Sequence, residues 1–247
     1  MPHVLLRLSQ LVFTPEASST VGCGNAMELD DLIHTFPRVY HMAHANAWEG
    51  IQQHGLLSTT ALLDLFEIQD PERATVRSRR RPDSVVIEHP IYGKAVIRDN
   101  KPLDDQGLLR CLTDFSPSQW YEILNNKVFF WLTEQRLITL LAARAYRGSQ
   151  HCVISVSTSR FVRDYYDQIW LSAMNSGTTK PIPHPRGANT FQRIRDFPFN
   201  DWRIKRRSAT KAIVELAVDY SVPDIIQYVE EVTIRDQHGV TREVYRA

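Results

Sequence analysis

Short apolar runs at residues 38–43, 128–132, 151–156, 169–174 and 212–218 recur along the chain, separated by short stretches of helical period. The chain lacks the glycine-rich strand–helix turn of a dinucleotide-binding sheet and the GxxxxGK[ST] of a P-loop. Residues 38–43 read as a strand, and 45–54 as a helix stopped by Gly55. Ser58 is placed to cap a helix through Phe66. Two extended runs, 85–88 and 94–98, flank His89-Pro90-Ile91-Tyr92-Gly93 and predict a hairpin. Ser116-Pro117 opens a helix to Asn125, and Thr133 opens another reaching Tyr146 and stopped by Gly148. The run 128–132 is continuously apolar, as a buried strand is. Runs at 232–235 and 241–245 predict a closing hairpin. The sum is an α+β fold, with short helices between mostly antiparallel strands.

Two stretches resist this pattern. Residues 69–84 are charged and hold Pro71 and Pro82, which predicts a mobile surface excursion. Residues 175–200 hold four prolines and two glycines. An irregular stretch of that length inside a domain is functional or disordered. Residues 1–13 form a short segment, and 14–30 are small and polar, a connection into one domain over 31–247. A chain of 247 residues, 43% hydrophobic and 23% charged, buries a core without staples.

Net charge is +1, so overall charge selects no partner. Local charge is uneven: Arg77, Arg79, Arg80 and Arg81 form one basic cluster, and Arg203, Lys205, Arg206 and Arg207 a second. Cys23, Cys111 and Cys152 are far apart, which fits neither a disulfide framework nor a structural zinc. The N-terminal apolar stretch is broken by Arg7 and lacks a signal-peptide core. No run approaches the ~20 apolar residues of a membrane span. The expectation is a soluble, cytoplasmic protein with no metal and no membrane partner.

Glu215 lies inside Ala212-Ile213-Val214-Glu215-Leu216-Ala217-Val218. A carboxylate in an apolar strand costs several kcal/mol unless it is paired or functional. Two readings are open, a functional carboxylate or one that faces solvent on an edge. Upstream of it stand Lys205-Arg206-Arg207 and Lys211; downstream stands Val222-Pro223-Asp224-Ile225-Ile226. The front of the chain carries Val39-Tyr40-His41-Met42-Ala43-His44, then Ala47-Trp48-Glu49-Gly50-Ile51 and His54-Gly55-Leu56. The middle carries Val128-Phe129-Phe130-Trp131-Leu132-Thr133, followed by Arg136.

In this order, over roughly residues 38–230, these segments resemble the DarT family of bacterial ADP-ribosyltransferases. The resemblance implies split antiparallel β-sheets with short peripheral helices, NAD+ as donor and a nucleic-acid acceptor. It also implies a toxin or antiphage role held in check by a partner protein. Two departures mark a divergent relative. The segment 69–125 is a longer insertion than that family leads one to expect, and His41 is closer to the H-Y-E type of ADP-ribosyltransferase.

The chemistry fits these residue types. Loss of nicotinamide from NAD+ builds oxocarbenium character on the ribose. A carboxylate can stabilise that charge and take the acceptor's proton, which is the role given to Glu215. His41 and His44 are candidate ribose contacts, and Gly55 is either a close backbone approach to ligand or a plain helix stop. Arg136 can hold a pyrophosphate or be a solvated helix charge. Phe129 and Trp131 share a face of their strand and either stack on nicotinamide or fill the core. Asn175, in Asn175-Ser176-Gly177-Thr178-Thr179, faces an acceptor or simply turns. Trp202, with Phe191, Phe197 and Phe199, can stack on a base beside Arg203, Lys205, Arg206 and Arg207 holding phosphates; a small core cluster and a solvated run are the alternatives. A protein acceptor, water as acceptor, and a catalytically silent nucleotide-binding module remain open beside the nucleic-acid reading.

Overall fold

The computed structural model describes residues 28–247. Residues 1–13, the connection as far as residue 27, and Cys23 lie outside the described residues. In chain order the strands are β1 (Arg38–His44), β2 (Leu56–Leu57), β3 (Val85–His89), β4 (Gly93–Ile97), β5 (Lys127–Trp131) and β6 (His151–Ser157). There follow β7 (Ile169–Ser172), β8 (Gln192–Arg193), β9 (Glu215–Asp219), β10 (Ser221–Val222), β11 (Val229–Asp236) and β12 (Gly239–Arg246). The fold is α+β. Eight strands form one sheet in the order β12-β11-β6-β1-β5-β9-β7-β8, and every neighbouring pair is antiparallel.

This sheet has two leaves. On one side, β1 pairs with β6 along its whole length, from Arg38↔Ser157 to His44↔His151. On the other, β5 pairs fully with β9, from Lys127↔Asp219 to Trp131↔Glu215. Between the leaves, β1 and β5 register at one pair, Tyr40↔Trp131. Past that pair the strands diverge, and the gap is where the candidate site forms.

Burial follows from these pairings. The central strand β6 is buried on both faces, hence its unbroken Cys152-Val153-Ile154-Ser155-Val156. On β5 the apolar run instead alternates: Val128 and Phe130 enter the core, while Lys127, Phe129 and Trp131 stay half-buried on the opposite face. The helix Thr158–Asp164, which the sequence pattern did not signal, packs Phe161 and Val162 beneath β6.

Caps fall where the sequence places them. Ser58 Oγ accepts from the Ala61 N–H at the start of helix Thr59–Leu65. Ser116 and Gln119 form a capping box with Pro117 in the first turn. Thr133 caps Glu134–Leu141, which ends earlier than Tyr146. Both hairpins form, β3–β4 and β11–β12. Gly55 ends helix Trp48–His54 at φ 78°.

The excursion expected at 69–84 is instead ordered into the fold. It contains helix Glu72–Ser78, whose Val76 joins Leu63, Phe66, Ile87 and Ile97 in a separate apolar cluster. Together with helix Thr59–Leu65 and the β3–β4 hairpin it makes a cap. Its basic residues are structural. Arg77 pairs with Glu122 at 3.2 Å, and Arg80 donates to the Leu103 carbonyl at 2.6 Å. Arg81 is 7% exposed and donates to the carbonyls of Val76 (2.5 Å) and Arg98 (3.2 Å) and to Asn125 Oδ1 (2.9 Å). Arg81 shows why polarity is a poor guide here: it is buried and satisfies backbone carbonyls, while Arg79 and Arg80 remain exposed.

Among the described residues no helix is long and apolar enough to cross a membrane, and no three metal-ligating side chains cluster.

Arg81→Ala should lower stability by about 3 kcal/mol in urea unfolding, because it leaves several buried acceptors unpaired. A change under about 0.5 kcal/mol is what a solvated excursion would give, and that result would contradict the packed cap.

Candidate active site

Where β1 and β5 part, a cavity of about 760 Å³ opens. Its floor is the end of β1 and the open face of β5; its roof is the cap. His41, His44, Gly55, Phe129, Trp131 and Glu215 all line it. Asn175, Ser176 and Gly177 contribute from the loop after β7. The volume lies within the range of about 300–1,000 Å³ usual for small-molecule sites.

Glu215 is the first residue of β9, not the middle of an apolar strand. Residues Ala209–Ala212 form a helical turn, and Ile213 and Val214 bridge to the strand. Its neighbours across the sheet are Trp131 and Ser172. It is 4% exposed, so the solvent-facing alternative is excluded. Ser176 donates twice to one carboxylate oxygen, from its N–H at 3.1 Å and its Oγ at 2.7 Å. The other oxygen, Oε1, has no hydrogen bond among the described residues. Burial pushes the carboxyl up to about 7, against the opposing pull of the Ser176 bonds and the fields of Arg186 and Arg136. Near neutrality it therefore exchanges a proton readily, which suits a general base or acid.

Ser176 owes its position to Arg186. This guanidinium is 3% exposed and donates to the carbonyls of Ser176 (2.9 Å), Thr178 (2.8 Å) and His184 (3.1 Å). It pins the irregular stretch so that two donors meet Glu215. Arg186 carries no signal in the linear sequence, and Ser176 stands out there only as part of a polar loop.

His41 stands one residue past the Tyr40↔Trp131 junction. Its Nδ1 lies 2.8 Å from the Phe129 carbonyl across the gap, so Nδ1 carries the proton and Nε2 is an acceptor. Burial lowers its pKa to about 4, with Arg98 acting in the same direction and the Phe129 bond opposing, so the ring is neutral at physiological pH. His44 is half-buried and accepts from the Asn46 N–H at 3.3 Å. Gly55 does line the cavity, but its close approach is to protein: a Cβ there would sit 2.4 Å from Pro223 Cα. That contact explains Gly55 and Pro223 together, since β2 and β10 pair beside it. Trp131 and Phe129 line the cavity half-buried, while Phe130 is buried in the core and meets the His41 ring edge-on at 5.8 Å.

Other sequence candidates fall elsewhere. Arg136 is half-buried and lies outside the cavity wall. Its guanidinium has no hydrogen bond or ion pair among the described residues, and it feels both Glu215 and Arg206. Trp202, Arg203, Lys205 and Arg206 lie on helix Phe199–Arg206, with Arg207 at its end, none of them in the cavity wall. Lys205 and Arg206 cover the Trp202 ring at 4.5 and 5.4 Å. Phe191, Phe197 and Phe199 are buried core, so the base-stacking role does not extend to them. They fill the space under a sheet edge that local sequence cannot reveal.

The model of a family of unknown function (DUF7002) matches residues 37–229, a span that includes the cap. No curated protein and no solved structure matches the chain.

The Glu215 carboxyl makes stability depend on pH. Its ordinary pKa of 4.5 rises to about 7 on folding. Its stabilising contribution is therefore fully present below pH 4.5 and lost as pH rises through about 7. The loss is about 3 kcal/mol, at about 1.4 kcal/mol per unit. Glu215→Gln stays neutral. In urea unfolding across this range it should gain on the wild type by that amount as pH rises, then run parallel. A constant difference at all pH values would mean the carboxyl is not buried as described.

Proposed function

The chain belongs to the DUF7002 family, and we propose that it is an NAD+-dependent ADP-ribosyltransferase with Glu215 as its catalytic carboxylate. The observation that carries this reading is Glu215 itself. One of its oxygens is fixed by two Ser176 donors, and the other opens on a cavity of nucleotide size. A carboxyl that carries such a burial cost is expected where its charge does chemistry.

In this reading NAD+ occupies the gap between the leaves. Neutral His41 offers Nε2 as an acceptor for a ribose hydroxyl. Phe129 and Trp131 offer apolar faces for a planar ring. The C–N bond between ribose and nicotinamide breaks, and nicotinamide departs with the bonding electrons. Ionised Glu215 stabilises the positive charge left on the ribose. An acceptor nucleophile then bonds to that carbon, and its proton passes to the carboxylate.

The acceptor reading rests on helix Phe199–Arg206. Arg203, Lys205, Arg206 and Arg207 are exposed, and none is in an ion pair among the described residues. Arg206 donates to the Ala173 carbonyl at 3.2 Å, just before the loop that holds Glu215, which sets this positive surface beside the reaction centre. A nucleic-acid acceptor fits that charge better than a neutral one.

Labelled NAD+ incubated with separate pools of single-stranded DNA, RNA and protein should label a nucleic acid. Glu215→Gln should cut that transfer by about two to three orders of magnitude while the fold persists. Transfer by Glu215→Gln at the wild-type rate would remove Glu215 from the catalytic role, and no transfer by the wild type to any pool would leave a silent nucleotide-binding module as the better description.

Neutralising Arg203, Lys205, Arg206 and Arg207 together should weaken acceptor binding. It should also flatten the slope of log K against log salt by roughly 0.7 per lost phosphate contact. An unchanged slope would remove these residues from the acceptor site.

A further inference from the structure

The cavity wall carries four lysine and arginine side chains, Arg81, Lys94, Arg98 and Lys127. Three are already satisfied. Lys127 pairs with Asp219, and Lys94 with Glu88 at 2.7 Å. Arg81 spends its donors on two carbonyls and Asn125. Arg98, the residue after β4, differs from all of them. Its Nη1 donates to the Met42 carbonyl at 3.0 Å, and its guanidinium lies 4.9 Å from the centre of the Tyr146 ring. Nε and Nη2 make no hydrogen bond, and the side chain is in no ion pair, among the described residues. The adjacent Asp99 meets Lys101 at 3.9 Å and the Tyr146 hydroxyl at 3.4 Å instead. A guanidinium has five N–H donors in a planar fork that fits phosphate oxygens. Here the fork is held in place from behind, by Met42, by Tyr146 and by the Arg81 bond to Arg98's own carbonyl, and its remaining donors are unspent. Burial also lowers its pKa, as expected of a charge whose lost hydration is not made up by partners.

We propose that Arg98 is the anion-binding residue of this cavity and takes a phosphoryl or pyrophosphoryl group of the bound nucleotide, so that the cap hairpin forms part of the donor site. The proposal rests on the nucleotide reading of the cavity. It moves the phosphate contact from Arg136, which lies outside the wall, to a residue supplied by the segment the sequence presents as an insertion.

Calorimetric titration of wild type and Arg98→Gln with ADP-ribose, inorganic pyrophosphate and adenosine tests it. The variant should lose roughly ten- to hundredfold in affinity for ADP-ribose and pyrophosphate, the usual worth of charge-assisted bonds. Adenosine binding should stay unchanged. An equal loss for adenosine would show a purely structural role and overturn the proposal. Unchanged ADP-ribose affinity in the variant would overturn it too, while leaving the NAD+ reading intact. If the wild type binds pyrophosphate through Arg98 but neither ADP-ribose nor NAD+, the anion site stands and the NAD+ reading falls. A wild type that binds neither pyrophosphate nor ADP-ribose overturns the proposal. Should Arg98→Gln not fold, modification of wild-type Arg98 by phenylglyoxal, read by mass spectrometry, decides the matter. Slowing by pyrophosphate or ADP-ribose supports the site, and an unaltered rate under both overturns it.

Discussion

Strands β1 and β5 share one residue pair, Tyr40↔Trp131, and the cavity with most of its lining follows from that limit. Strands that part inside a sheet leave buried backbone groups that must find other partners. Here side chains supply them. His41 Nδ1 bonds the Phe129 carbonyl on the far strand, and Arg98 bonds the Met42 carbonyl on the near one. The gap is thereby stable while open. Each side chain that closes a backbone bond also keeps polar atoms unspent among the described residues, the Nε2 of His41 and the Nε and Nη2 of Arg98.

The cap completes the enclosure. It has its own apolar cluster around Leu63, Phe66, Val76, Ile87 and Ile97, so it is packed rather than draped. Arg81 ties the base of the hairpin to Val76 and to Asn125 of helix Pro117–Asn125. The depressed pKa of His41 and the raised pKa of Glu215 both trace first to the burial of these two side chains.

Burying the Glu215 carboxyl carries a cost that the fold offsets locally. Two Ser176 donors and the nearby charges of Arg186 and Arg136 offset only part of the cost of burying it, which is why its carboxyl titrates at about 7. Arg186 in turn depends on three loop carbonyls. Irregular backbone between β7 and β9 is thus a support for the carboxylate, tied down through the Arg186 guanidinium.

The sequence by itself determined the local elements. Helix caps at Ser58, Ser116 and Thr133, the stop at Gly55 and the two hairpins depend on neighbours a few residues away, and these are where the pattern places them. It also singled out Glu215, because a carboxylate amid apolar residues is visible without coordinates. Only the tertiary structure decided that Glu215 opens a strand and is buried, that Gly55 yields to Pro223, and that Arg136 stands off the cavity while Arg98 enters it. It also decided that Arg81 and Arg186 are interior residues. The physical reason is common to these cases. An arginine reads as solvated charge in a linear sequence, and whether its donors meet carbonyls, a carboxylate or an open cavity is set by segments tens of residues away.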